Sequence, residues 1–406
     1  MPETVMGLTG AFGSGCTTAA KHLRDSRAFH LIKLSEFIRQ EWREEGTPTR
    51  ADLQRLGDDL RRRKGPGILA DLAIGQIEKL DTKSYVVIDG IRNTSEVARL
   101  RDRFGYAFTL IGILSDNNAR WGRISTAYTD QGLNQRHFLE DDDRDKDEEV
   151  EWGQQVELCM DSADVLIDNS SEVLLPKFQE KVLQYTDLVS GKNPRPATPG
   201  EILMNMAYSS SHSSKCLKRH VGAVLVDAGR AVVGVGYNEN PLGTNPCVEE
   251  PQYNFGCYRD IVRNNHFTLL SQRGARCPVC GEGFGGVKGP PWRCSACQKK
   301  GKKTNLETFF FPDRAMNWCT AVHAEVWALL SAGDRARGGT LYCTTFPCFQ
   351  CAEKLIQSRI KEVWYTEAYP DAAGQERFRL ARVKIQQFEG VRSSSFDRIF
   401  SRLRPR

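Results

Sequence analysis

The chain has 406 residues, and at about 150 residues per domain this length predicts two to three domains with more than one hydrophobic core. Hydrophobic residues make up 40% of the sequence and charged residues 26%, which excludes a mainly disordered chain. The net charge of +5, from 56 Lys and Arg against 51 Asp and Glu, neither demands nor excludes a nucleic-acid partner.

The first part of the chain alternates short apolar runs with helical patterns. Apolar runs lie at residues 5–8, 85–88, 108–114 and 165–167, and helical patterns begin near Thr17 and cover residues 95–103. Strands that alternate with helices predict a parallel sheet with crossover helices. The charge-rich segment 139–151 is predicted to be solvated and mobile rather than part of a site.

A glycine-rich turn follows the first apolar run. It has the spacing G-x-x-x-x-G-x-T of a phosphate-binding loop, in which glycines let the backbone surround a phosphate at a helix N-terminus. Cys16 stands where a lysine that stabilises a transferred phosphate is usual, so we predict nucleotide binding without phosphate transfer. The residues predicted to bind the nucleotide are Gly10, Gly13, Ser14, Gly15, Cys16 and Thr17. A glycine-rich turn without a ligand is the alternative.

Two later segments resemble parts of nucleoside-monophosphate kinases. Residues 86–92 resemble their Walker B strand and acceptor-side arginine, and residues 163–169 resemble their late strand. This resemblance adds Asp89 and Arg92 to the predicted nucleotide-binding residues. It implies that residues 1–190 form a P-loop kinase-like domain.

Three prolines interrupt regular structure within the segment 191–200, which is therefore predicted to be a linker. The chain after it is predicted to form a second α/β domain over residues 201–406. Its predicted elements are a helix at 201–208, a hairpin of 221–226 and 231–237, helices from near Val322 and Pro347, and strands at 340–344, 363–365 and 383–387. The arginine-rich tail after Gln375 predicts a pair of basic surface helices.

Eleven of the 13 cysteines follow residue 200. The start of the chain lacks a leader pattern, and no stretch approaches the ~20 apolar residues that span a bilayer. We therefore expect a cytoplasmic protein without a membrane partner. In that reducing compartment, a cluster of cysteines indicates metal binding or catalysis rather than disulfides.

The most specific motif is His323-Ala324-Glu325 followed by Pro347-Cys348-Phe349-Gln350-Cys351, the H-x-E…P-C-x-x-C signature of zinc-dependent nucleobase deaminases. His323, Cys348 and Cys351 supply three zinc ligands and leave the fourth tetrahedral position open to water. Glu325 is predicted to be the catalytic proton shuttle between water, the base and the leaving ammonia. A purely structural zinc site, or a chance combination of a histidine and a cysteine pair, is the alternative.

Further segments complete a resemblance to deoxycytidylate deaminases. They are residues 221–224, 236–238, 344–348 and 360–363. The resemblance spans nearly all of residues 200–390 and implies a cytidine-deaminase-like α/β/α fold with deoxycytidine nucleotides as substrates. It also implies that Asn238, Tyr365 and Tyr369 contact the substrate, and for the two tyrosines ordinary packing in the core or at the surface is the alternative. Glu239 departs from the family, in which glycine is common there, and an acid beside a phosphate is unfavourable unless it points away.

Other cysteines predict further zinc sites. Cys277, Cys280, Cys294 and Cys297 have the C-x₂-C-x₁₃-C-x₂-C spacing of a zinc ribbon. This ribbon is predicted as an insertion at residues 271–303 with a structural role, and nucleic-acid contact through its lysines is the alternative. Some deoxycytidylate deaminases hold another zinc, whose ligand positions resemble Cys216, Cys247 and Cys319. Buried free thiols are the alternative for these three. The predicted cofactors are thus one catalytic zinc and at least one structural zinc.

A P-loop kinase-like domain joined to a deoxycytidylate-type deaminase resembles the anti-phage dCTP deaminases of bacteria. This resemblance implies deamination of dCTP or dCMP, depletion of the nucleotide pool during infection, and a small inhibitory RNA as partner. We also expect a homo-oligomer and a regulatory deoxynucleotide effector. The alternatives are a housekeeping dCMP deaminase with a regulatory nucleotide-binding domain, a nucleic-acid cytosine deaminase, and an active nucleotide kinase. The kinase is disfavoured by Cys16, and the nucleic-acid enzyme by the lack of a basic, aromatic-interleaved motif.

Overall fold

A computed structural model of the chain describes residues 2–43, 45–130, 132–146, 150–170, 173–261, 319–368 and 372–401. The chain divides into two compact units, Met1–Ile202 with Phe388–Arg406, and Leu203–Gln387. Within the described ranges, no helix has the length and apolar character needed to cross a membrane.

The first unit is built on a six-stranded sheet. Its strands are β1 (Thr4–Thr9), β2 (His30–Lys33), β3 (Tyr85–Asp89), β4 (Phe108–Leu114), β5 (Val165–Asp168) and β11 (Gly390–Val391), in the order β11-β5-β4-β1-β3-β2. β1 to β5 pair in parallel, and β1 and β4 are buried at every position, as expected for central strands covered on both faces. The predicted parallel sheet with crossover helices is confirmed.

Nine helices are described in the first unit before residue 190. They are α1 (Cys16–Arg27), α2 (Leu34–Gln40), α3 (Arg50–Lys64), α4 (Ile68–Ile77), α5 (Thr94–Phe104), α6 (Asn117–Thr129), α7 (Gln135–Lys146), α8 (Val156–Asp161) and α9 (Leu175–Val189). The segment predicted to be solvated, 139–151, begins within α7, where Leu139 and Glu140 are exposed as expected, but the prediction was wrong for Asp142. Asp142 is only 1% exposed because its carboxylate accepts hydrogen bonds from the buried Arg120 guanidinium, 2.7 Å from Nη2.

The second unit contains a five-stranded sheet. Its strands are β6 (Gly222–Val226), β7 (Val232–Tyr237), β8 (Thr340–Thr345), β9 (Glu362–Glu367) and β10 (Lys384–Gln387), in the order β10-β9-β8-β6-β7. The predicted hairpin is confirmed as β6 and β7, and the Asp227 carboxylate accepts from the backbone N–H groups of Gly229 and Ala231 in its turn. The longer helices here are α10 (Pro199–Ser211), which begins in the first unit, and α11 (Ala324–Ala332), α12 (Phe349–Gln357) and α13 (Ala372–Leu380).

The predicted domain boundary was wrong for the C-terminal segment. Residues 388–406 were assigned to the second domain, but they belong to the first unit. β11 pairs antiparallel with β5, and the buried side chain of Val391 joins the core of the first unit. Arg392 Nη1 donates to the carbonyls of Met160 and Asp161, where α8 ends and its carbonyls lack helical partners. Instead of a pair of basic surface helices, the tail after Gln375 contains the end of α13, the strands β10 and β11, and a short helix α14 (Phe396–Phe400).

Candidate active site

The helix α11 carries one predicted zinc ligand, His323 at its N-cap, and the predicted catalytic residue, Glu325 in its first turn. Two glycines of β7 allow this helix to lie directly on the sheet. A Cβ atom at Gly236 would lie 2.2 Å from the carbonyl oxygen of Ala324, and one at Gly234 would lie 2.1 Å from that of Ala328. The glycines therefore fix the height of the helix N-terminus above β7.

The Cys-x-x-Cys motif lies at the start of α12, with Cys348 as its N-cap and Cys351 in its first turn. His323 Nδ1 is 3.2 Å from Cys351 Sγ and 3.4 Å from Cys348 Sγ. Donors bound to one zinc in a tetrahedron, at about 2.0–2.3 Å from the ion, lie about 3.5–3.8 Å apart. The three side chains therefore fit a zinc ion with little movement, and all three ligand atoms lie within 4.8 Å of one another.

The electrostatics of this cluster favour metal binding and proton transfer. The neighbouring thiol of Cys351 and the ring of His323 hydrogen-bond to Cys348 and lower the pKa of its thiol well below the ordinary value, although burial opposes this. Burial raises the pKa of the Glu325 carboxyl, whose residue is 4% exposed. A carboxyl with a raised pKa can both accept and return a proton near neutral pH.

The cluster opens into a cavity of about 350 Å³, the zinc-site cavity. The described residues that line it are Cys216, Lys218, Arg219, Val221, Asn238, Cys257, Arg259, Cys319, Ala321, His323, Ala324, Glu325, Thr345, Phe346 and Cys348. Tyr365 is not in this set and packs edge-on against Phe346, with ring centroids 4.9 Å apart. Tyr369 lies outside the described residues, so the substrate contacts of both tyrosines stay predictions.

Asn238 lines the zinc-site cavity, and its side-chain amide is held by backbone groups. Its Oδ1 accepts from the N–H of Val221 at 2.8 Å, and its Nδ2 donates to the carbonyl of Arg219 at 2.9 Å. Glu239, the departure from the deaminase pattern, is not among the described residues of this cavity. Its backbone pairs with Val322, and its carboxylate accepts a hydrogen bond that raises the pKa of Tyr237.

The cysteines of the predicted additional zinc site line a smaller neighbouring cavity. Cys216, Cys247 and Cys319 share this cavity with Cys257, which sequence reasoning missed because it belongs to no recognised spacing. Among the residues that the structure describes, the zinc-site group is the one set of three ligand atoms within 4.8 Å of one another. Metal binding by the neighbouring cysteines stays a prediction. The four ribbon cysteines lie outside the described residues.

The phosphate-loop residues also come together, in the first unit. The loop leaves β1 at Thr9, and α1 begins at Cys16 after Gly15, whose φ of 113° is in the region that favours glycine. Thr17 Oγ1 donates to Asp89 Oδ2 at 2.7 Å. Burial and then the charge of Asp89 raise the pKa of the Cys16 thiol to about 12, so that this thiol is neutral.

This loop borders a cavity of about 570 Å³, the nucleotide cavity, and every predicted nucleotide-binding residue lines it, including Asp89 and Arg92. Sequence reasoning missed four further arginines on its walls, Arg39, Arg50, Arg61 and Arg123. Arg123 Nη1 donates to the carbonyl of Gly13 at 3.2 Å. These arginines lie on helices outside any motif, so no local pattern indicated them.

Two kinds of known protein are similar to parts of this chain. Residues 198–367 match the family model of the cytidine and deoxycytidylate deaminase zinc-binding region. A UPF0200 protein of Halobacterium salinarum is 30% identical over 196 residues, which are 48% of this chain and 97% of that protein. The chain belongs to the UPF0200 family. This UPF0200 chain also carries a deoxycytidylate-deaminase-like zinc domain.

Deoxycytidylate deaminases are similar to the UPF0200 chain over part of their length. The enzyme of Schizosaccharomyces pombe is 30% identical over 237 residues, 58% of this chain and 56% of that protein. The enzyme of Saccharomyces cerevisiae is 30% identical over 190 residues, 46% of this chain and 43% of that protein. The chain thus spans about half the length of these relatives. A crystal structure of dCMP deaminase from cyanophage S-TIM5 matches 47% of this chain and 96% of that chain at 18% identity, with a TM-score of 0.27.

Proposed function

We propose that the chain hydrolytically deaminates deoxycytidine nucleotides, converting dCTP or dCMP to dUTP or dUMP and ammonia. One observation carries this proposal. The candidate zinc ligands His323, Cys348 and Cys351, the zinc-ligand triad, lie together, and His323 and Cys348 line one cavity with the buried carboxyl of Glu325. This is the arrangement that nucleobase deamination requires. The deaminase family match over residues 198–367 and the names of the yeast relatives support the same chemistry.

In the proposed mechanism, the triad holds the metal ion and Glu325 transfers protons. His323, Cys348 and Cys351 would hold zinc, which supplies Lewis-acid activation of water when bound. Glu325 accepts a proton from the attacking water and delivers it to N3 of the cytosine ring. Glu325 then takes the remaining proton of that water from the hydroxyl now bonded to C4 and passes it to the amino group. The C4–N bond breaks, the hydroxyl oxygen becomes the C4 carbonyl, and the amino group leaves as ammonia. Burial of Glu325 keeps this shuttle out of exchange with bulk water.

The first unit is proposed to bind a regulatory deoxynucleotide without transferring phosphate. The loop glycines and the Thr17–Asp89 hydrogen bond retain a phosphate cradle. A neutral Cys16 thiol lacks the positive charge that stabilises a transferred phosphate in its transition state. Effector binding here would tune deamination in the second unit.

The biological role we propose is depletion of the deoxycytidine nucleotide pool of an infected cell, in the cytoplasm. The pairing of a deaminase domain with a nucleotide cavity supports this role, because an enzyme that empties a pool benefits from sensing it. A homo-oligomer and a small inhibitory RNA are further parts of this proposal, and both rest on the resemblance to anti-phage dCTP deaminases.

The test is a substrate panel. Purified protein is incubated with dCMP, dCTP, CTP and single-stranded DNA, and ammonia and uracil products are followed. We expect turnover of the deoxycytidine nucleotides. Turnover of dCMP alone would favour a housekeeping dCMP deaminase, and turnover of single-stranded DNA alone would contradict the proposal in favour of a nucleic-acid deaminase.

A further inference from the structure

We propose that the buried carboxylate of Glu201 transmits nucleotide binding at the phosphate loop to the deaminase site. The chain passes between the two units twice, after Ile202 and after Gln387. Glu201 lies just before the first of these passages, and it holds the backbone of Val391, shortly after the second. The inference rests on the proposed function, including its regulatory nucleotide, and adds the residue through which that nucleotide acts.

The carboxylate of Glu201 joins the segment that leaves the first unit to the segment that returns to it. Its Oε1 accepts hydrogen bonds from the N–H of Val391 at 3.0 Å and from Arg195 Nη2 at 2.8 Å. Its Oε2 accepts from the N–H of Thr198 at 2.7 Å and from Arg195 Nη1 at 2.7 Å. Burial alone would raise the pKa of this carboxyl, whose residue is 1% exposed, but these hydrogen bonds lower it. Because separating the two segments would leave a buried charge without its partners, they are held to one another.

Hydrogen bonds also lead from the phosphate loop to the returning segment. Asn169 Nδ2 donates to the carbonyl of Ser14 in the loop at 2.7 Å. The preceding residue, Asp168, donates its N–H to Glu389 Oε2 at 3.4 Å, and Lys181 Nζ donates both to that carboxylate and to the carbonyl of Asp168. Glu389 directly precedes β11, which supplies one of the donors described above. A displacement of the loop when it binds phosphate is therefore passed to β11.

Helix α10 leads from Glu201 to the deaminase site. The helix begins in the first unit and continues into the second. Within the second unit it lies directly on the hairpin of β6 and β7, because a Cβ atom at Gly222 would lie 1.8 Å from the carbonyl oxygen of Ala207. Ser210 Oγ donates to the carbonyl of Gly236 at 3.1 Å. Gly236 is one of the two glycines that fix the height of α11, so a shift of α10 displaces the helix that carries the catalytic carboxyl.

The predicted linker, residues 191–200, is held against the first unit at its start. The N–H groups of Lys192 and Asn193 donate to the carbonyl of Asp187 at 2.9 and 3.1 Å. The ammonium nitrogen of Lys192 lies 3.7 Å from the ring centroid of Tyr85. Because a segment fixed at several points transmits a displacement that a flexible linker would absorb, the first passage of the chain can carry the coupling.

The test measures how a nucleotide in the first unit changes deamination. kcat and KM are measured for the deoxycytidine nucleotide that the wild type turns over, with wild type and Glu201→Gln, as dATP, dGTP or dTTP is added. The amide keeps the size of the side chain but removes its charge and one acceptor. We expect the wild-type response, typically about 5–150-fold for coupled sites, to fall below about twofold in Glu201→Gln. Nucleotide affinity, measured by equilibrium binding without substrate, and the kinetics without added nucleotide should stay at the wild-type level.

A second variant and two controls separate coupling from loss of structure. Glu389→Gln changes the route at a side chain that is 20% exposed, and it decides the test if Glu201→Gln does not fold. It should also lower the response, and the two effects should not add. Asp164→Asn removes another buried carboxylate, which accepts from the N–H of Leu110 at 2.7 Å and lies outside the route, so it should lower Tm but keep the wild-type response. Gly15→Asp identifies the part of the response that arises at the phosphate loop.

The outcomes distinguish this inference from the proposed function. A wild type that deaminates neither dCMP nor dCTP would overturn the proposed function itself. A wild type that deaminates but responds to none of the three added nucleotides would overturn the regulatory site, and this inference with it. A wild-type response in Glu201→Gln or in Glu389→Gln would overturn the inference alone. A loss of nucleotide affinity in Glu201→Gln, or an equal loss of response in Asp164→Asn, would also overturn it, because general loss of structure would then explain the effect.

Discussion

Cys348 in the second unit and Cys16 in the first both stand at the start of a helix that follows a buried strand, yet the states of their thiols are opposite. Hydrogen bonds from Cys351 and His323 lower the pKa of Cys348, which prepares a thiolate for a metal ion. Burial and the carboxylate of Asp89 raise the pKa of Cys16, which keeps a neutral thiol beside the phosphate loop. The groups around a cysteine, more than its position on a helix, decide whether its thiol is prepared to bind a metal ion or stays neutral.

The largest expected effect is on the proton shuttle beside Cys348. Glu325→Gln keeps the size of the side chain but removes its ability to carry a proton. We expect turnover to fall by about 10²–10⁴-fold, because that is what general acid–base catalysis supplies. Ammonia release measures the loss, and an unchanged zinc content shows that the ligands are intact. Turnover near the wild-type level would contradict the mechanism.

The next expected effect is on metal content. The catalytic and ribbon sites together require about two zinc ions per chain, and about three if the neighbouring cysteines also form a site. Cys348→Ser should lower this number by about one and abolish turnover, because serine is a poor zinc ligand. Cys343→Ala is the matched control, since Cys343 is a buried thiol in β8 outside the triad.

Elemental analysis of protein purified without chelators gives both numbers. One ion or fewer in the wild type would show that the ribbon does not bind metal. An unchanged count in Cys348→Ser would show that the triad does not hold zinc.

On the Cys16 side of the comparison, the decisive change is Gly15→Asp. A Cβ atom at residue 15 would lie 2.5 Å from Nδ2 of Asn169, and the φ of 113° disfavours any side chain. We expect nucleotide binding by the first unit to be lost, together with the response of deamination to dTTP and dCTP. Coupling between such sites is typically worth about 5–150-fold in affinity.

Equilibrium binding and effector titration measure this prediction. Gly75→Asp is the control, because Gly75 lies on an exposed part of α4 with no neighbouring atom within 4 Å of an added Cβ. If Gly15→Asp binds nucleotides with the wild-type stoichiometry, and its deamination responds to dTTP and dCTP as that of the wild type does, the effector does not bind at this loop. Phosphate transfer from ATP to a deoxynucleoside monophosphate by the wild type would contradict the proposal that the first unit binds nucleotides without transferring phosphate.

The smallest expected effect is that of Cys16→Ser. A thiol with a pKa of about 12 is protonated at every pH below 10, so serine replaces one neutral group with another. We expect nucleotide affinity to change by less than about threefold and to stay independent of pH between 7 and 9 at this position. A large loss of affinity, or an ionisation near pH 8 that Cys16→Ser removes, would show that Cys16 acts as a thiolate.

Local sequence patterns were sufficient to predict the residues around Cys348 and around Cys16. The H-x-E and C-x-x-C spacings predicted the triad, and the glycine spacing predicted the loop before α1, because each motif is complete within a few residues. Arg259 and Cys257 could not be predicted as members of the cavities, since their positions depend on an irregular loop. The two-residue strand β11 is too short for any periodicity, and its partner β5 is more than 200 residues away in sequence.

The pairing of β11 with β5 has a consequence for the order in which the chain folds during synthesis. The residues of the second unit are contiguous, whereas the sheet of the first unit needs a strand that is made only after them. At about 5–20 residues per second, a ribosome takes roughly 10 to 45 seconds to pass from the end of β5 to β11. Throughout that interval one edge of β5 has no partner strand, and such an edge is a template for wrong pairing. The nascent first unit therefore depends on the speed at which the ribosome completes the deaminase domain.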